Sequence, residues 1–174
     1  GGPVGVGLQA PGQPNAATGG AVLAELVQHI QQVGGGSDVQ ANGQLFVSGL
    51  GASAAVHVQT VVVSTGPGFD PSVPLVITGS TEVRDGLQAV IFDARSLPAG
   101  SVVRADHLDF IAVVGAVRLV GGAGQNVASG DGNEQWMVLG ADDDLLHGGG
   151  GNDIVGSLGG NDQVFGDAGE DRKS

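Results

Sequence analysis

The stretch that decides the fold is a run of four nine-residue segments: LGADDDLLH (139–147), GGGGNDIVG (148–156), SLGGNDQVF (157–165) and GDAGEDRKS (166–174). The sixth place of every segment is an aspartate, and these aspartates are Asp144, Asp153, Asp162 and Asp171. The eighth place is aliphatic in the first three segments and Lys173 in the last. A repeat at so short a fixed period predicts a solenoid, in which every segment contributes one turn and one short strand.

Glycine and side-chain alternation explain how such a segment would fold. Glycines at the first, second and fourth places of 148–156 permit a sharp turn with exposed carbonyls, because glycine tolerates left-handed dihedral angles. The three residues after the aspartate suffice for a minimal strand whose side chains alternate between two faces. Only the middle residue of each triplet, Leu146, Val155 or Val164, would then point into a thin core.

Two upstream segments fit the pattern less well. GGAGQNVAS (121–129) has Asn126 at the sixth place, and SGDGNEQWM (129–137) has Glu134 there, which requires a slip of one residue in the register. The whole region 121–174 holds ten acidic and two basic residues, so most of the net charge of −12 is concentrated in it. Stacked carboxylates cannot all remain ionised without a counter-charge.

Calcium is the counter-charge that suits these residues best. Ca²⁺ accepts 6 to 8 oxygen ligands from carboxylates and carbonyls in loose geometry, whereas Mg²⁺ requires a tight octahedron and Zn²⁺ prefers nitrogen or sulfur. Within the four segments only His147 offers a nitrogen side chain of this kind. The alternative interpretation of the same residues is an acidic, glycine-rich linker that binds nothing specifically. The nine-residue period of both the acidic and the aliphatic places favours the calcium-binding interpretation.

The segments resemble the RTX nonapeptide G-G-x-G-x-D-x-U-x, a calcium-binding repeat, and 148–156 matches it at every fixed position. The resemblance implies a parallel β-roll in which repeats two apart stack, with Asp144 over Asp162 on one edge and Glu134, Asp153 and Asp171 on the other. It also implies a ligand set. The carboxylate ligands would be Asp144, Asp153, Asp162 and Asp171, and the carbonyl ligands Gly149, Gly151, Gly160 and Gly169. Asp142, Asp143 and Glu134, which depart from the consensus, are further candidates.

The rest of the chain predicts an all-β fold with one short helix. Residues 1–20 carry three prolines and predict an extended arm or linker. Residues 21–36 have helical apolar spacing followed by three glycines, which predicts a helix and its end. Residues 37–120 form a β-rich domain of short, β-branched strands, QLFVSGL (44–50) among them, that winds toward solenoid geometry. The β-roll, 121–174, follows it.

Composition excludes several classes of protein. The 174 residues contain no cysteine, which rules out disulfides and thiolate metal sites. A net charge of −12 makes nucleic acids and anionic lipid poor partners. No apolar run approaches the ~20 residues of a membrane-spanning helix, so we expect no membrane insertion. The chain also opens without a secretory signal pattern, so we expect it to be processed, excised or exported by another route.

Enzyme motifs are weak, and we expect no catalytic activity. Gly5-Val6-Gly7-Leu8 imitates part of a dinucleotide fingerprint, but the prolines around it deny the required strand and helix. The expected function is therefore that of a secreted, calcium-binding structural module at the cell surface or outside it. Such a module would belong to a surface layer, an adhesin or a self-assembling fibre, and would associate into a homopolymer.

Two alternatives remain open at the level of sequence. The chain could be a calcium-dependent folding and secretion domain attached to a secreted enzyme such as a protease or lipase. Residues 40–120 could also bind a sugar or a peptide, although the low aromatic content makes a sugar platform less favourable.

Overall fold

The computed structural model describes the backbone of residues 6–9 and all atoms of residues 16–81 and 86–173. Within these ranges the chain forms two helices and fourteen strands. The helices are α1 (Gly20–Gln32) and α2 (Ser37–Ser48). The strands are β1 (Val6–Gln9), β2 (Ala17–Thr18), β3 (Ala55–Thr65), β4 (Leu75–Thr78), β5 (Leu87–Asp93), β6 (Ser101–Asp106), β7 (Phe110–Val114), β8 (Val117–Gly121), β9 (Val127–Ser129), β10 (Trp136–Leu139), β11 (Leu145–Gly150), β12 (Ile154–Ser157), β13 (Gln163–Ala168) and β14 (Arg172–Lys173).

From residue 55 onward the chain winds as a β-solenoid of about five turns. Successive strands alternate between two sheets. Sheet A contains β3, β5, β7, β9, β11 and β13 in parallel, and sheet B contains β4, β6, β8, β10, β12 and β14 in parallel. One coil of the solenoid is thus one strand of each sheet. The predicted all-β solenoid class is confirmed.

The length of a coil becomes regular along the chain. In sheet A, Val56 pairs with Leu87, which is 31 residues further on. Val127, by contrast, pairs with Leu145, and Leu145 pairs with Gln163, each step spanning 18 residues. Two nonapeptides therefore make one coil in the repeat region, while the upstream coils contain longer loops of irregular length.

A core of alternating apolar side chains fills the space between the sheets. Its largest members include Phe92, Ile111, Leu119 and Met137. The predicted inward positions are confirmed, because Leu146 and Val155 are completely buried and Val164 packs against the same core. Each repeat coil thus buries only one modest aliphatic side chain per strand.

The two helices cover the outer face of sheet A. Val22, Leu26 and Ile30 lie one turn apart on α1 and are buried against this face. On α2, Phe46 stacks on Phe110 of β7 with 5.0 Å between the ring centroids. The upstream end of the molecule therefore has three layers, helices, sheet A and sheet B, with an apolar core between each pair.

The prediction of a single helix is wrong, because residues 37–48 form α2. The segment 44–50 was predicted as a strand, yet its first five residues are the second half of this helix. Val39, Asn42, Gly43 and Phe46 are its buried positions, which are three or four residues apart for the most part. Close packing on α1 favours the helix, since a Cβ added at Gly43 would lie 2.9 Å from Cδ2 of Leu26.

The sheets continue without interruption across the predicted boundary between 37–120 and 121–174. Strand β7 pairs with β9, and β8 pairs with β10, so upstream and repeat coils share both sheets. In the predicted arm 1–20, Val6–Gln9 pairs antiparallel with β3, whereas residues 1–5 and 10–15 lie outside the described residues. The helix predicted for 21–36 is observed as α1, ending before Gly34, whose φ is 73°. Neither described helix is long and apolar enough to cross a membrane.

Candidate metal centre

The sixth-place residues of the repeats form two ladders, one along each edge of the solenoid. We call Asn126, Asp144 and Asp162 the first ladder, and Gln135, Asp153 and Asp171 the second ladder. In each ladder the carboxylate of one coil accepts a hydrogen bond from the backbone N–H of the sixth-place residue one coil upstream. The N–H donors and carboxylate acceptors are Asn126 to Asp144 (2.8 Å), Asp144 to Asp162 (2.9 Å), Gln135 to Asp153 (2.8 Å) and Asp153 to Asp171 (2.9 Å).

The predicted stacking of Asp144 with Asp162 and of Asp153 with Asp171 is confirmed by these bonds. The predicted place of Glu134 in the second ladder is wrong, because Gln135 occupies it. The correct frame is GDGNEQWMV (130–138), which follows 121–129 directly and needs no slip in register. Glu134 is the fifth-place residue of that segment, and its side chain is exposed.

Four sixth-place side chains carry a buried oxygen that has no hydrogen-bond partner. Within the described part of the chain they are the only buried side-chain atoms in this condition: Asn126 Oδ1, Gln135 Oε1, Asp144 Oδ2 and Asp153 Oδ2. Asp144 is 4% exposed and Asp153 is 1% exposed. A buried oxygen without a partner costs about 1 to 3 kcal/mol, and more when it is charged. The ladders therefore lack a positive partner at the places where the repeat motif repeats.

Burial also raises the pKa values of the two buried aspartates. Desolvation is the largest cause at Asp153 and raises its pKa from 3.8 to about 6, with the negative charges of Asp171, Asp131 and Glu134 adding to it. The hydrogen bond from Gln135 opposes this shift. At Asp144 desolvation again leads, and the charges of Asp162 and Asp142 add to it, so its pKa is raised as well. A cation between coils would offset both causes.

The turns bring backbone carbonyls close to the glycines of the next coil. Gly149, Gly151, Gly160 and Gly169, the predicted carbonyl ligands, all lie in turns, with φ of 98°, 107°, 95° and 149°. A Cβ added at Gly151 would lie 2.6 Å from the carbonyl oxygen of Asn133 in the coil upstream. Only glycine fits both the dihedral angle and the space there. Stacked turns thus place several oxygens close to the ladders.

The remaining predicted ligands, Asp142 and Asp143, are exposed and link neighbouring coils. Asp142 accepts a hydrogen bond from the N–H of Gly124 at 2.9 Å, one coil upstream. Asp143 accepts one from the N–H of Asn161 at 2.8 Å, one coil downstream. Each uses one carboxylate oxygen in this way, which leaves its other oxygen free to face solvent or an ion.

Sequence reasoning missed Asp131, which is a buried carboxylate at the second place of 130–138. Its oxygens accept hydrogen bonds from the N–H of Gly115 (3.0 Å), from both the backbone and side chain of Asn133 (3.0 and 2.7 Å) and from the side chain of Gln135. Asp131 is therefore fully paired. The signal that could have found it is the unbroken frame of six nonapeptides, in which Asp131 and Asp167 occupy the same place.

Both ladders open onto the surface. A pocket beside the first ladder is lined by Asn126, Asp143 and Asp144 together with Phe46 of α2. A second pocket is lined by Asp153, Asp171 and their neighbours. An ion could thus enter either ladder from solvent without the coils separating.

The donors around the ladders are oxygens. His147 lies elsewhere, on the outer face of sheet A, where its ring stacks on Phe165 and its Nδ1 lies 3.0 Å from an Asp167 oxygen. Over the described residues, no three acidic or histidine side chains gather into one cluster that could hold a metal ion. A metal held here would therefore take most of its ligands from the backbone and from one carboxylate per coil, a donor set that suits a hard, flexible cation such as Ca²⁺.

Comparison with known proteins adds nothing to this description. No protein-family model, curated protein or solved structure matches the chain. The likeness to RTX repeats therefore rests on the nonapeptides themselves.

Proposed function

We propose that this protein is a non-enzymatic structural module whose repeat coils are held together by Ca²⁺ outside the cell. The observation that carries the proposal is the pair of ladders, in which Asp144 and Asp153 each bury an unpartnered carboxylate oxygen. The arrangement stacks like charges in the interior and provides no protein cation to neutralise them. A divalent ion that accepts oxygen ligands would supply the missing partner.

In the proposal, Asp144, Asp153, Asp162 and Asp171 supply carboxylate oxygens. Gly149, Gly151, Gly160 and Gly169 supply turn carbonyls, and Asp142, Asp143 and Glu134 contribute charge at the rim. The bound ion supplies positive charge between coils. The role of the residues is then to position oxygens at the regular spacing of the coils, about 4.8 Å in a parallel sheet.

An extracellular location follows from the affinity that such sites have. Calcium modules outside cells bind with dissociation constants of about 10⁻⁴ to 10⁻³ M, so they are empty in cytosol and filled outside. Because metal binding is coupled to folding, export into a calcium-rich medium would drive the repeat coils to fold. A surface layer, an adhesin or a self-assembling fibre would use such a rigid rod.

Self-association of the rod is the second part of the proposal. What supports it is the outer face of sheet B, which neither of the described helices covers. Val76 (58%) and Ile154 (37%) are exposed there, and the guanidinium of Arg118 lies 3.3 Å from the ring centroid of Trp136 on the same face. A flat face with apolar, aromatic and cationic groups suits contact with another copy of an acidic protein.

Thermal unfolding in the presence of calcium, magnesium or excess chelator tests the first part. We expect Ca²⁺ to raise the unfolding temperature strongly and Mg²⁺ to raise it little. The variants Asp144→Asn and Asp153→Asn should lose most of the Ca²⁺ effect. The control Asp70→Asn removes an equal charge from the exposed loop between β3 and β4 and should keep it. Equal unfolding temperatures in calcium and chelator for the wild type would contradict the proposal.

Particle size, measured by light scattering in calcium and then in chelator, tests the second part. Polymers that form with calcium and disperse with chelator are the expected result. A particle that stays monomeric in both conditions contradicts self-association and favours a calcium-dependent folding domain of a secreted enzyme instead.

A further inference from the structure

We infer that Asn126 and Gln135 close the upstream ends of the two ladders with hydrogen bonds, so that the coils upstream of them fold without Ca²⁺ and support the calcium-dependent coils that follow. This inference rests on the proposed function, since it states where along the solenoid the ion sites begin. It concerns the two sixth-place residues that are amides rather than acids.

Gln135 makes with its amide group the links that a cation would otherwise make. Its Nε2 donates one hydrogen bond to the carbonyl oxygen of Gly115, one coil upstream, at 3.3 Å, and another to the carboxylate of Asp131. A carbonyl and a carboxylate are thus joined through two N–H groups of one side chain. The hydrogen bond from the N–H of Gly115 to Asp131 closes the same group of residues.

Asn126 has the same role at the head of the first ladder. Its Nδ2 donates a hydrogen bond to the carbonyl oxygen of Leu108, 18 residues upstream, at 2.7 Å. An ionised aspartate cannot donate, so Asp144 and Asp153, one coil further on, leave an oxygen unpartnered where the amides have a bond. The unpartnered oxygens of Asn126 and Gln135 remain as neutral ligands for the first ion of each ladder.

The upstream coils also possess what they need to fold alone. Phe92, Phe110 and Ile111 are buried there, and the helices bury Leu26 and Ile30 against the outer face of sheet A. Burial of side chains of this size stabilises by about 1.5 to 3 kcal/mol each. The downstream coils bury only Leu146, Val155 and part of Val164, so their folding depends more heavily on neutralising the aspartates.

Hydrogen exchange of the wild-type chain in excess chelator and in saturating CaCl₂ tests the inference. We expect β5 to β9, residues 87–129, to be protected in both conditions, and residues 144–173 to be protected only with CaCl₂. Loss of protection along the whole chain in chelator, restored by CaCl₂, would overturn the inference and leave the proposed function standing. Protection of 144–173 that is equal in both conditions would overturn the proposed function as well.

Changing the amides to acids tests the residues themselves. The double variant Asn126→Asp, Gln135→Glu replaces two donors by carboxylates that face Leu108 and Asp131, so we expect it to bind more Ca²⁺ per chain than wild type. Its β5 to β9 protection should now require CaCl₂. The control Gln125→Glu adds a charge at the exposed neighbouring position and should leave both readouts unchanged. A folded double variant with wild-type Ca²⁺ content and wild-type protection in chelator contradicts the inference; if the variant does not fold, the wild-type exchange pattern decides it.

Discussion

One oxygen of Asp153 accepts a hydrogen bond from the N–H of Gln135, one coil upstream, at 2.8 Å, while its other oxygen is buried without a partner. A single carboxylate therefore joins two coils and also keeps an acceptor in reserve. Asp144 repeats this arrangement on the opposite edge of the solenoid, with Asn126 as its upstream partner. The regularity of the relationship suggests that the reserved oxygens serve a common ligand.

Protons should substitute in part for Ca²⁺ at Asp153. Its folded pKa of about 6 lies above the usual 3.8, so between these values the folded state binds the proton more tightly than the unfolded state. In chelator, the stability contributed by this group is therefore greatest at low pH and is lost as the pH rises through about 6. We expect the free energy of unfolding, measured with urea in chelator, to be higher at pH 5 than at pH 7.

The variant Asp153→Asn provides the control for that measurement, because it removes the titrating group while keeping an oxygen acceptor. Its stability in chelator should depend less on pH between 5 and 7 than that of the wild type. A wild-type chain that becomes less stable on going from pH 7 to pH 5 in chelator would contradict the assigned direction.

Leu146 should be essential for packing the repeat coils. It is completely buried between the two sheets, so Leu146→Ala leaves a cavity and should lower the free energy of unfolding in calcium by about 2 to 5 kcal/mol. The matched control is Leu158→Ala, since Leu158 is 75% exposed in a turn and should change stability by less than about 0.5 kcal/mol. Similar losses for the two variants in chemical denaturation would argue against the inward assignment.

Gly151 should tolerate no side chain. Its φ of 107° and the nearby carbonyl oxygen of Asn133 both oppose a Cβ, so Gly151→Ala should destabilise the calcium-loaded protein by about 1 to 3 kcal/mol. Gly132→Ala is the control, because no atom lies within 4 Å of the added methyl group and its φ is not in the left-handed region. Denaturant titration of the two variants would show equal stability if turn stacking were unimportant.

The repeat coils could be predicted from the sequence because one rule governs both their edges and their core. A period of nine that holds for both aspartate and aliphatic residues specifies strand, turn and inward position together, as Leu146 and Val155 show. The frame failed where substitutions hid it. Gln135 stands where an acid was sought, and the neighbouring Glu134 matched the motif by charge alone.

The upstream half was harder to predict because its coils have no common length. The partners of β3 in sheet A lie 31 residues on, and loops of this length contain no repeat to detect. Helix α2 was missed for a different reason. Its sequence contains glycine, asparagine and β-branched valines, which favour helix weakly, and the helix depends on packing against α1 and Phe110 that no local pattern reveals.

Equilibrium dialysis of the chelator-treated wild-type protein against increasing CaCl₂ at pH 7 tests the central claim most directly. The ladders predict saturable binding with dissociation constants of about 10⁻⁴ to 10⁻³ M, and fewer bound ions when Asp144 and Asp153 are both changed to asparagine. No bound Ca²⁺ at concentrations well above that range, or equal binding by the wild type and the double variant, would contradict it.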